Sequence, residues 1–113
     1  MINIALFGLG RIGLMHGKNL MRNKNFKLKY VYDINKKLAK KAAKILKSNS
    51  IDNPKTAFND KNIQAIFISS TTSTHIKFIL EAAKNKKAIF CEKPLDLNIN
   101  KINICKKKIS KLN

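Results

Sequence analysis

The opening of the chain limits the possible folds more than any other part of the sequence. Ile2–Phe7 is an apolar run interrupted only by Asn3, as expected for a strand that is buried on both faces. Gly8, Gly10 and Gly13 follow at once with the spacing G-x-G-x-x-G, and a segment with helical spacing comes next. This order of buried strand, glycine turn and helix predicts an α/β fold. It is also the context in which a glycine-rich turn binds a dinucleotide.

Short β-type runs and amphipathic segments alternate along the rest of the chain. We predict further strands over Leu28–Tyr32, Gln64–Ser69 and Ala88–Cys91. We predict helices over Arg11–Met21 and Asn35–Lys47, a third that begins with a cap at Ser73 or Thr74, and a last one after Pro94. Such alternation implies a parallel sheet with right-handed crossovers and helices on both faces. We therefore expect residues 1–113 to form one Rossmann-type, doubly wound α/β domain.

Apolar residues at helical spacing predict which side of each helix is buried. For the first two helices these residues are Ile12, Met15, His16 and Leu20, and then Leu38, Ala39, Ala42, Ala43 and Leu46. For the last two they are Ile76, Ile79, Leu80 and Ala83, and then Ile102, Cys105, Ile109 and Leu112. The pattern is weakest over residues 48–60. Ile51 favours a short edge strand there, and Pro54 argues against a long one.

An acid, Asp33, follows the second predicted strand, about 20 residues beyond the last glycine of the turn. In dinucleotide-binding domains an acid at this place accepts hydrogen bonds from the adenosine ribose, and a 2′-phosphate is disfavoured there. We therefore predict that NAD is the preferred cofactor. Gly8 would permit the tight turn, Gly10 would let the pyrophosphate approach, and Gly13 would let the helix pack on the strand.

Simpler interpretations of this region stay open. The glycine turn and the acid could form a turn and a helix cap that bind no ligand. Arg11 and Ile12, inside the turn, are counted among the predicted cofactor-binding residues. Arg11 would support the charge of the pyrophosphate, or it would be a solvated helix residue.

The chain is strongly basic, with 24 lysine and arginine residues against 6 acidic ones and a net charge of +18. Clustered basic residues neutralise phosphates, so nucleic acid has to be considered as a partner. Arg11 and Arg22 are the only arginines, however, and the lysines are spread along every predicted helix. The sequence also contains no nucleic-acid-binding motif. We expect weak binding of anions and no specific nucleic-acid partner, and we keep a basic nucleic-acid-associated protein as the least favoured alternative.

The cysteines and the apolar segments predict neither a metal site nor a membrane anchor. Cys91 and Cys105 match no metal-binding or redox spacing, which favours two reduced structural thiols. The apolar run Ile2–Leu9 is too short to cross a bilayer, no basic segment precedes it and no small-residue cleavage site follows it. We therefore expect a cytoplasmic protein without a membrane partner.

Two later motifs add polar chemistry to the ends of predicted strands. The first is SSTTSTH over Ser69–His75, and the second is CEKPL over Cys91–Leu95. Together with the G-L-G-R-I-G turn and His16, these motifs resemble the Gfo/Idh/MocA family of oxidoreductases, in order and over essentially the whole chain. The Gly-Arg-Ile-Gly turn and the Ser-Ser-Thr-x-x-Thr-His motif are most similar to the inositol 2-dehydrogenase branch of that family.

The resemblance implies roles for several residues. Lys93 would reach the substrate and the nicotinamide and assist proton transfer, and Glu92 would hold the cofactor end of the site. The nicotinamide-ribose side would be lined by Ser69, Ser70, Thr71 and His75. Many members have a proline where this chain has Thr71, so the shape of that loop can differ, and His16 would pack or support a loop. The structural alternatives are an ordinary surface lysine at Lys93 and a ligand-free helix start at His75.

The resemblance also implies a reaction, in which hydride passes from a polyol or sugar hydroxyl carbon to NAD while a base removes the hydroxyl proton. Family members carry a second domain that supplies an Asp and a His facing the substrate, and these 113 residues offer no candidate for that pair. We therefore expect the isolated chain to bind NAD, to have little or no activity, and to need a complementing C-terminal domain or chain. A non-catalytic NAD-binding or regulatory module is the main alternative.

Overall fold

The computed structural model describes residues 1–93, 96 and 98–112, and in these residues five strands alternate with five α-helices. The strands are β1 (Ile2–Phe7), β2 (Phe26–Tyr32), β3 (Asn49–Ser50), β4 (Ala65–Ile68) and β5 (Ala88–Cys91). The helices are α1 (Arg11–Arg22), α2 (Lys36–Leu46), α3 (Lys55–Asn59), α4 (His75–Lys84) and α5 (Ile99–Leu112), and a 3₁₀ turn covers Thr72–Thr74. The elements predicted from the sequence are therefore confirmed in kind and order, and α3 is an addition.

The sheet has the strand order β3-β2-β1-β4-β5, and all of its pairs are parallel. The chain builds outward from β1 to β2 and β3, and it then crosses back to form β4 and β5 on the other side of β1. The order reverses between β1 and β4, where Phe7 pairs with Ile68 at the carboxyl ends of the two strands. Open parallel sheets bind ligands at this place. The topology thus confirms the Rossmann-type fold and positions a ligand crevice.

Two hydrophobic cores, one on each face, hold the helices against the sheet. On one face α1 and α2 pack over Leu6 and Val31, and on the other α3, α4 and α5 pack around Phe7. Three aromatic rings meet the Phe7 ring edge-on, with centroids 5.0, 5.3 and 5.4 Å away: Phe78, Phe58 and Tyr32. Burying one side chain of this size stabilises a fold by about 3 kcal/mol. Phe7 therefore ties β1 and β2 to α3 and α4 immediately below the ligand crevice.

The buried face of α1 differs from its prediction. Gly13 and Gly17 are buried, whereas Ile12 and Met15 are 50% and 49% exposed. The cause is close packing, because a Cβ on Gly17 would lie 2.6 Å from Cδ1 of Leu46 in α2. The helix thus approaches its neighbours through glycines, and much of the apolar stripe predicted from spacing stays at the surface.

The second helix agrees with its prediction at both ends. Its buried residues are Ala39, Ala42, Ala43 and Leu46. Asn35 caps the start, since its side-chain oxygen accepts a hydrogen bond from the Leu38 N–H at 3.1 Å. Lys47 ends the helix in the left-handed region, with φ +52°.

The start of α4 corrects the predicted cap and face. Thr74 precedes the helix, but its side chain makes no capping bond to α4 and its hydroxyl donates instead to the Thr71 carbonyl at 2.6 Å. Thr74 thus occupies the predicted N-cap position, but the predicted side-chain cap is not made, because the backbone enters α4 through a 3₁₀ turn. The residues that α4 buries are His75, Phe78, Ile79 and Ala82. The predicted face was thus rotated, and of its four residues Ile79 alone is fully buried.

Residues 48–60 form the short edge strand β3, followed by α3. Ile51 lies just beyond β3, is buried, and donates its N–H to the Val31 carbonyl at 3.0 Å. Pro54 stands at the start of α3, where its missing N–H costs nothing. The predicted edge strand is confirmed as a two-residue element, while the helix after Pro54 was not expected.

An ion pair joins the loop after α3 to β2. Asp60 accepts hydrogen bonds from Lys29 Nζ and from the Tyr30 hydroxyl, both at 2.7 Å. The Lys29 ammonium is the main reason why the pKa of the Asp60 carboxyl falls to about 2. Lys87 Nζ also donates to the carbonyls of Asp60 and Ile63, at 2.7 and 2.8 Å. This loop is therefore held by two lysines from separate parts of the chain.

Both cysteines are free thiols. Cys105, on α5, is buried in the core, and Cys91 is half-buried at the end of β5. Burial, and secondarily the Glu92 charge, raises the pKa of Cys91 to about 11. Across the described ranges, no helix combines the length and apolarity needed to cross a bilayer.

Candidate nucleotide-binding site

The turn between β1 and α1 is packed too tightly for side chains at two of its glycines. Gly8 has φ +93°, and a Cβ there would lie 2.3 Å from the Ser70 N atom. A Cβ on Gly13 would lie 1.8 Å from the Gly8 carbonyl oxygen. Gly10 differs, because no atom lies within 4 Å of the place its Cβ would take. Two glycines thus close the turn, and the third leaves room for a ligand.

The N-terminus of α1 faces this room. The first intrahelical hydrogen bond runs from the Leu14 N–H to the Gly10 carbonyl, at 2.8 Å. The N–H groups of the first helical turn before Leu14 have no acceptor within the helix, and such groups bind anions. Arg11 and Ile12 occupy this first turn with exposed side chains. Arg11 therefore adds positive charge at the helix end.

Asp33, at the end of β2, is fixed beside the turn by backbone hydrogen bonds. One carboxylate oxygen accepts the Leu9 N–H at 2.9 Å, and the other accepts the Asn35 N–H at 2.8 Å. A carboxylate oxygen can accept a second hydrogen bond. The half-buried carboxylate thus keeps acceptor capacity in a fixed orientation, which suits a vicinal diol.

A cavity of about 230 Å³ opens next to Asp33. Its lining residues are Gly8, Tyr32, Asp33, Ile34, Pro54, Ser70, Thr71, Thr74, Lys77 and Phe78. Two larger, more open depressions lie at the amino ends of the strands, around Lys86 and Lys87. We assign the candidate site to the smaller cavity, because parallel sheets bind ligands at the carboxyl ends of their strands.

The loop after β4 braces the turn and borders the cavity. The Ser69 hydroxyl donates towards the Gly8 carbonyl at 2.9 Å, and the Ser70 and Thr74 hydroxyls lie 2.6 Å apart. His75 is only 1% exposed, and its Nε2–H donates to the Ser70 carbonyl at 2.9 Å. Ser70 and Thr71 line the cavity. Ser69 and His75 act on it through the loop, so direct contact of these two with a cofactor stays a prediction.

The end of β5 brings Glu92 and Lys93 to the same edge of the sheet. The Glu92 N–H donates to the Ile68 carbonyl at 2.9 Å, which extends the pairing of β5 with β4. The Glu92 carboxylate accepts a hydrogen bond from His16 Nε2 on α1, and the His16 ring lies 4.6 Å from the ring of Phe67. Lys93 is exposed. Pro94 and Leu95, which complete the motif, lie outside the described residues.

Sequence reasoning missed several residues of the cavity wall. Tyr32 and Ile34 flank Asp33, so their proximity to the site could have been inferred from its position. Pro54, Lys77 and Phe78 come from α4 and from the start of α3. No local motif marks these three residues, because only the crossover of the chain brings them to the crevice.

Comparison with known proteins assigns this chain to a family. The model of the GFO_IDH_MocA family, described as an oxidoreductase family with an NAD-binding Rossmann fold, matches residues 2–113. The chain belongs to this family. Its predicted membership and its prediction as an NAD-binding domain are therefore confirmed.

Proteins similar in sequence include two inositol 2-dehydrogenases. The myo-inositol 2-dehydrogenase of Thermotoga maritima is 34% identical over 99 residues, which are 87% of this chain and 30% of that protein. The scyllo-inositol 2-dehydrogenase (NAD(+)) of Bacillus subtilis is 36% identical over 110 residues, which are 96% of this chain and 32% of that one. The predicted likeness to inositol 2-dehydrogenases is confirmed.

Solved structures agree with this family assignment. The crystal structure of a myo-inositol dehydrogenase from Corynebacterium glutamicum superposes with a TM-score of 0.92 at 35% identity. The match covers 99% of this chain and 34% of that one. The chain thus spans about a third of the length of the relatives that it matches.

Proposed function

We propose that this chain is the cofactor-binding part of an NAD-dependent dehydrogenase that oxidises a CH–OH carbon of a polyol such as an inositol. The observation that carries the proposal is the Asp33 carboxylate, which two backbone N–H groups fix at the mouth of a cavity beside the glycine turn. A fixed carboxylate binds two ribose hydroxyls and disfavours a phosphate in the place of one of them.

The residues around the turn fit a dinucleotide. Gly10 leaves open space, the first N–H groups of α1 point into it, and Arg11 adds positive charge. The cavity next to Asp33 has an aromatic wall from Tyr32 and Phe78, which suits a flat base. The diphosphate would lie at the turn and the adenosine in the cavity.

The chain's own contribution to chemistry would come from the end of β5. When bound, NAD supplies the hydride acceptor. Lys93 would take the proton of the substrate hydroxyl, and Glu92 would hold the neighbouring end of the cofactor. Exposed Lys93 needs a partly enclosed site for this role, because a lysine becomes a useful base when burial or a nearby positive charge lowers its pKa.

We further propose that a second domain or chain encloses that end of the crevice. The relatives are about three times as long as the matched segment. Phe90 on β5 is 53% exposed, and Ile12 and Met15 on α1 are similarly exposed. The rings of Phe90 and Phe67 stack, and the Phe67 ring also contacts His16 of α1, so exposed apolar side chains occur on both elements beside this end of the crevice. The complementing part would cover these residues, bind the polyol, and supply the remaining catalytic groups.

Titration calorimetry with NAD and NADP tests the cofactor assignment. NAD should bind, NADP should bind at least about 10-fold more weakly, and Asp33→Asn should weaken NAD binding about 10-fold by removing charge-assisted hydrogen bonds. Asp52→Asn is the matched control, because it removes the same charge from an exposed position outside the cavity wall. Equal affinity for NAD and NADP would contradict the role of Asp33.

Activity assays test the need for a complement. The purified chain should bind NAD but reduce it very slowly with myo-inositol or scyllo-inositol. Rapid turnover by the chain alone would contradict the proposed complement. NAD binding without turnover, even after co-expression with the rest of a relative such as the Thermotoga maritima protein, would favour a non-catalytic NAD-binding module. Cell fractionation tests the cytoplasmic location that the sequence predicts.

A further inference from the structure

The strand order determines where each half of a bound dinucleotide must lie. Asp33 follows β2, on one side of the glycine turn, whereas Glu92 follows β5, on the other side. A dinucleotide whose diphosphate lies at the turn and whose adenosine ribose lies at Asp33 must direct its second nucleoside over β4 and β5. The carboxylate of Glu92 and the backbone leading to Lys93 therefore border the nicotinamide half.

We propose that His16 is a positioning residue for this half of the site, an inference that rests on the proposed NAD binding. It would act through Glu92, by fixing the direction of the Glu92 carboxylate and the start of the loop that carries Lys93. It would not touch the cofactor itself. Its removal should therefore weaken contacts to the nicotinamide half and leave the adenosine half unchanged.

His16, on α1, makes two contacts, one with β4 and one with the residue that follows β5. The ring lies 4.6 Å from the Phe67 ring of β4, and Nε2–H donates to the Glu92 carboxylate after β5. The side chains of His16 and Glu92 are 21% and 37% exposed, so the pair is partly shielded from water. Since His16 lies in the second turn of α1, it links the helix of the glycine turn directly to the end of β5.

The backbone of Glu92 is fixed separately from its side chain. Its N–H donates to the Ile68 carbonyl, so β4 holds the main chain in place without His16. Within residues 1–93, 96 and 98–112, the carboxylate accepts one hydrogen bond, from His16, which holds it towards α1. Without that bond it could rotate along the edge of the sheet towards Lys93, away from the position that borders the nicotinamide half.

The experiment compares NAD with ADP-ribose, which has the adenosine and diphosphate but lacks the nicotinamide. Calorimetry on the full chain should give tighter binding of NAD than of ADP-ribose for the wild type. His16→Ala should weaken NAD binding about 5-fold, the worth of one hydrogen bond, and change ADP-ribose binding less than about 2-fold. His16→Gln, whose amide can still donate to Glu92, should recover most of the loss.

Asn19→Ala is the matched control on the same helix. Asn19 is exposed and lies outside the surface proposed for the complement, so its loss should alter neither affinity. Glu92→Ala should reduce the ratio of NAD affinity to ADP-ribose affinity as His16→Ala does. In the Glu92→Ala background, His16→Ala should then reduce the ratio no further.

Equal losses for NAD and ADP-ribose in His16→Ala would overturn the inference, because they would mean that His16 merely supports the fold. Unchanged affinities, or a wild type that binds the two ligands equally, would overturn it as well. If His16→Ala does not fold, His16→Gln and Glu92→Ala decide the question through the same ratio. A wild type that binds neither ligand would instead refute the proposed function.

Discussion

The two ends of the crevice are built in different ways. At the proposed adenosine end, backbone geometry holds the site, through the positive φ of Gly8 and the two N–H groups on the Asp33 carboxylate. At the proposed nicotinamide end, the Glu92 carboxylate is held by a side-chain hydrogen bond from His16, and Lys93 is exposed.

This difference separates binding from catalysis. A site held by backbone hydrogen bonds needs only its own domain to form, so we expect the proposed adenosine end to bind by itself. A site that depends on exposed side chains along an edge strand needs a cover before its groups acquire catalytic properties. The first end therefore predicts autonomous cofactor binding, and the second predicts dependence on a partner.

The largest effect is expected at the glycine turn. Gly8→Ala should lower the free energy of unfolding by about 3 kcal/mol or more, because it combines a left-handed backbone with a clash against Ser70. Gly10→Ala, the control in the same turn, should cost less than about 1 kcal/mol but weaken NAD binding at least about 10-fold. Urea unfolding and calorimetry measure the two quantities. Similar stability losses in both variants would break the distinction between the closing glycine and the open one.

The next effect concerns Cys91, on the strand that ends at the nicotinamide side. With its pKa raised to about 11 by burial, the thiol should react with iodoacetamide at pH 8 about 100-fold more slowly in the folded chain than when unfolded. Peptide mass spectrometry separates Cys91 from Cys105. The raised pKa also stabilises the fold at pH values below about 9, and this contribution is lost as the pH rises through about 11. Rapid labelling would mean that β5 opens readily.

A smaller effect is expected for Asp60, which supports the β2 side at a distance from the cavity. Asp60→Asn should lower the free energy of unfolding by about 1.5 kcal/mol, with nucleotide affinity unchanged. The lowered pKa means that the stabilisation is present above about pH 4 and is lost as the pH falls through about 2. Thermal melting at pH 7 and pH 3 measures this, with exposed Asp52→Asn as the control. A loss of NAD affinity would show that the two regions are coupled.

The smallest effect is expected for Phe90. Its ring stacks on Phe67 at 5.8 Å but is 53% exposed, so Phe90→Ser should cost less than about 1 kcal/mol. Phe7→Ala, in the fully buried cluster, should cost about 3–5 kcal/mol. Urea unfolding compares the two. A large loss of unfolding free energy in Phe90→Ser would mean that this ring belongs to the core of the domain. It would also remove the reason to expect a second domain over β5.

The elements and the placement of Asp33 beside the glycine turn could be predicted from the sequence because local patterns encode them. A buried apolar run, three spaced glycines and an acid after the next strand each leave a mark in the sequence. The partners of Asp33 also follow from its position, since Leu9 is in the adjacent turn and Asn35 is two residues away.

The remaining features depend on contacts between distant residues. The sequence does not indicate that Gly17 is buried, since only the approach of Leu46 makes a small residue necessary there. The exposure of Ile12 and Met15 could not be predicted for the same reason, because helical spacing does not reveal how closely α1 packs. The hydrogen bond between His16 and Glu92 joins residues 76 positions apart. No sequence motif contains both residues, so their contact could not be predicted.

Tyr32 gives the cavity a spectroscopic reporter. The chain contains no tryptophan and two tyrosines, so Tyr30 and Tyr32 produce its intrinsic fluorescence. The Tyr30 hydroxyl is bonded to Asp60 outside the cavity wall, whereas Tyr32 forms part of that wall. An adenine ring bound there would change the contribution of Tyr32 to the total emission, so occupancy could be followed without any label.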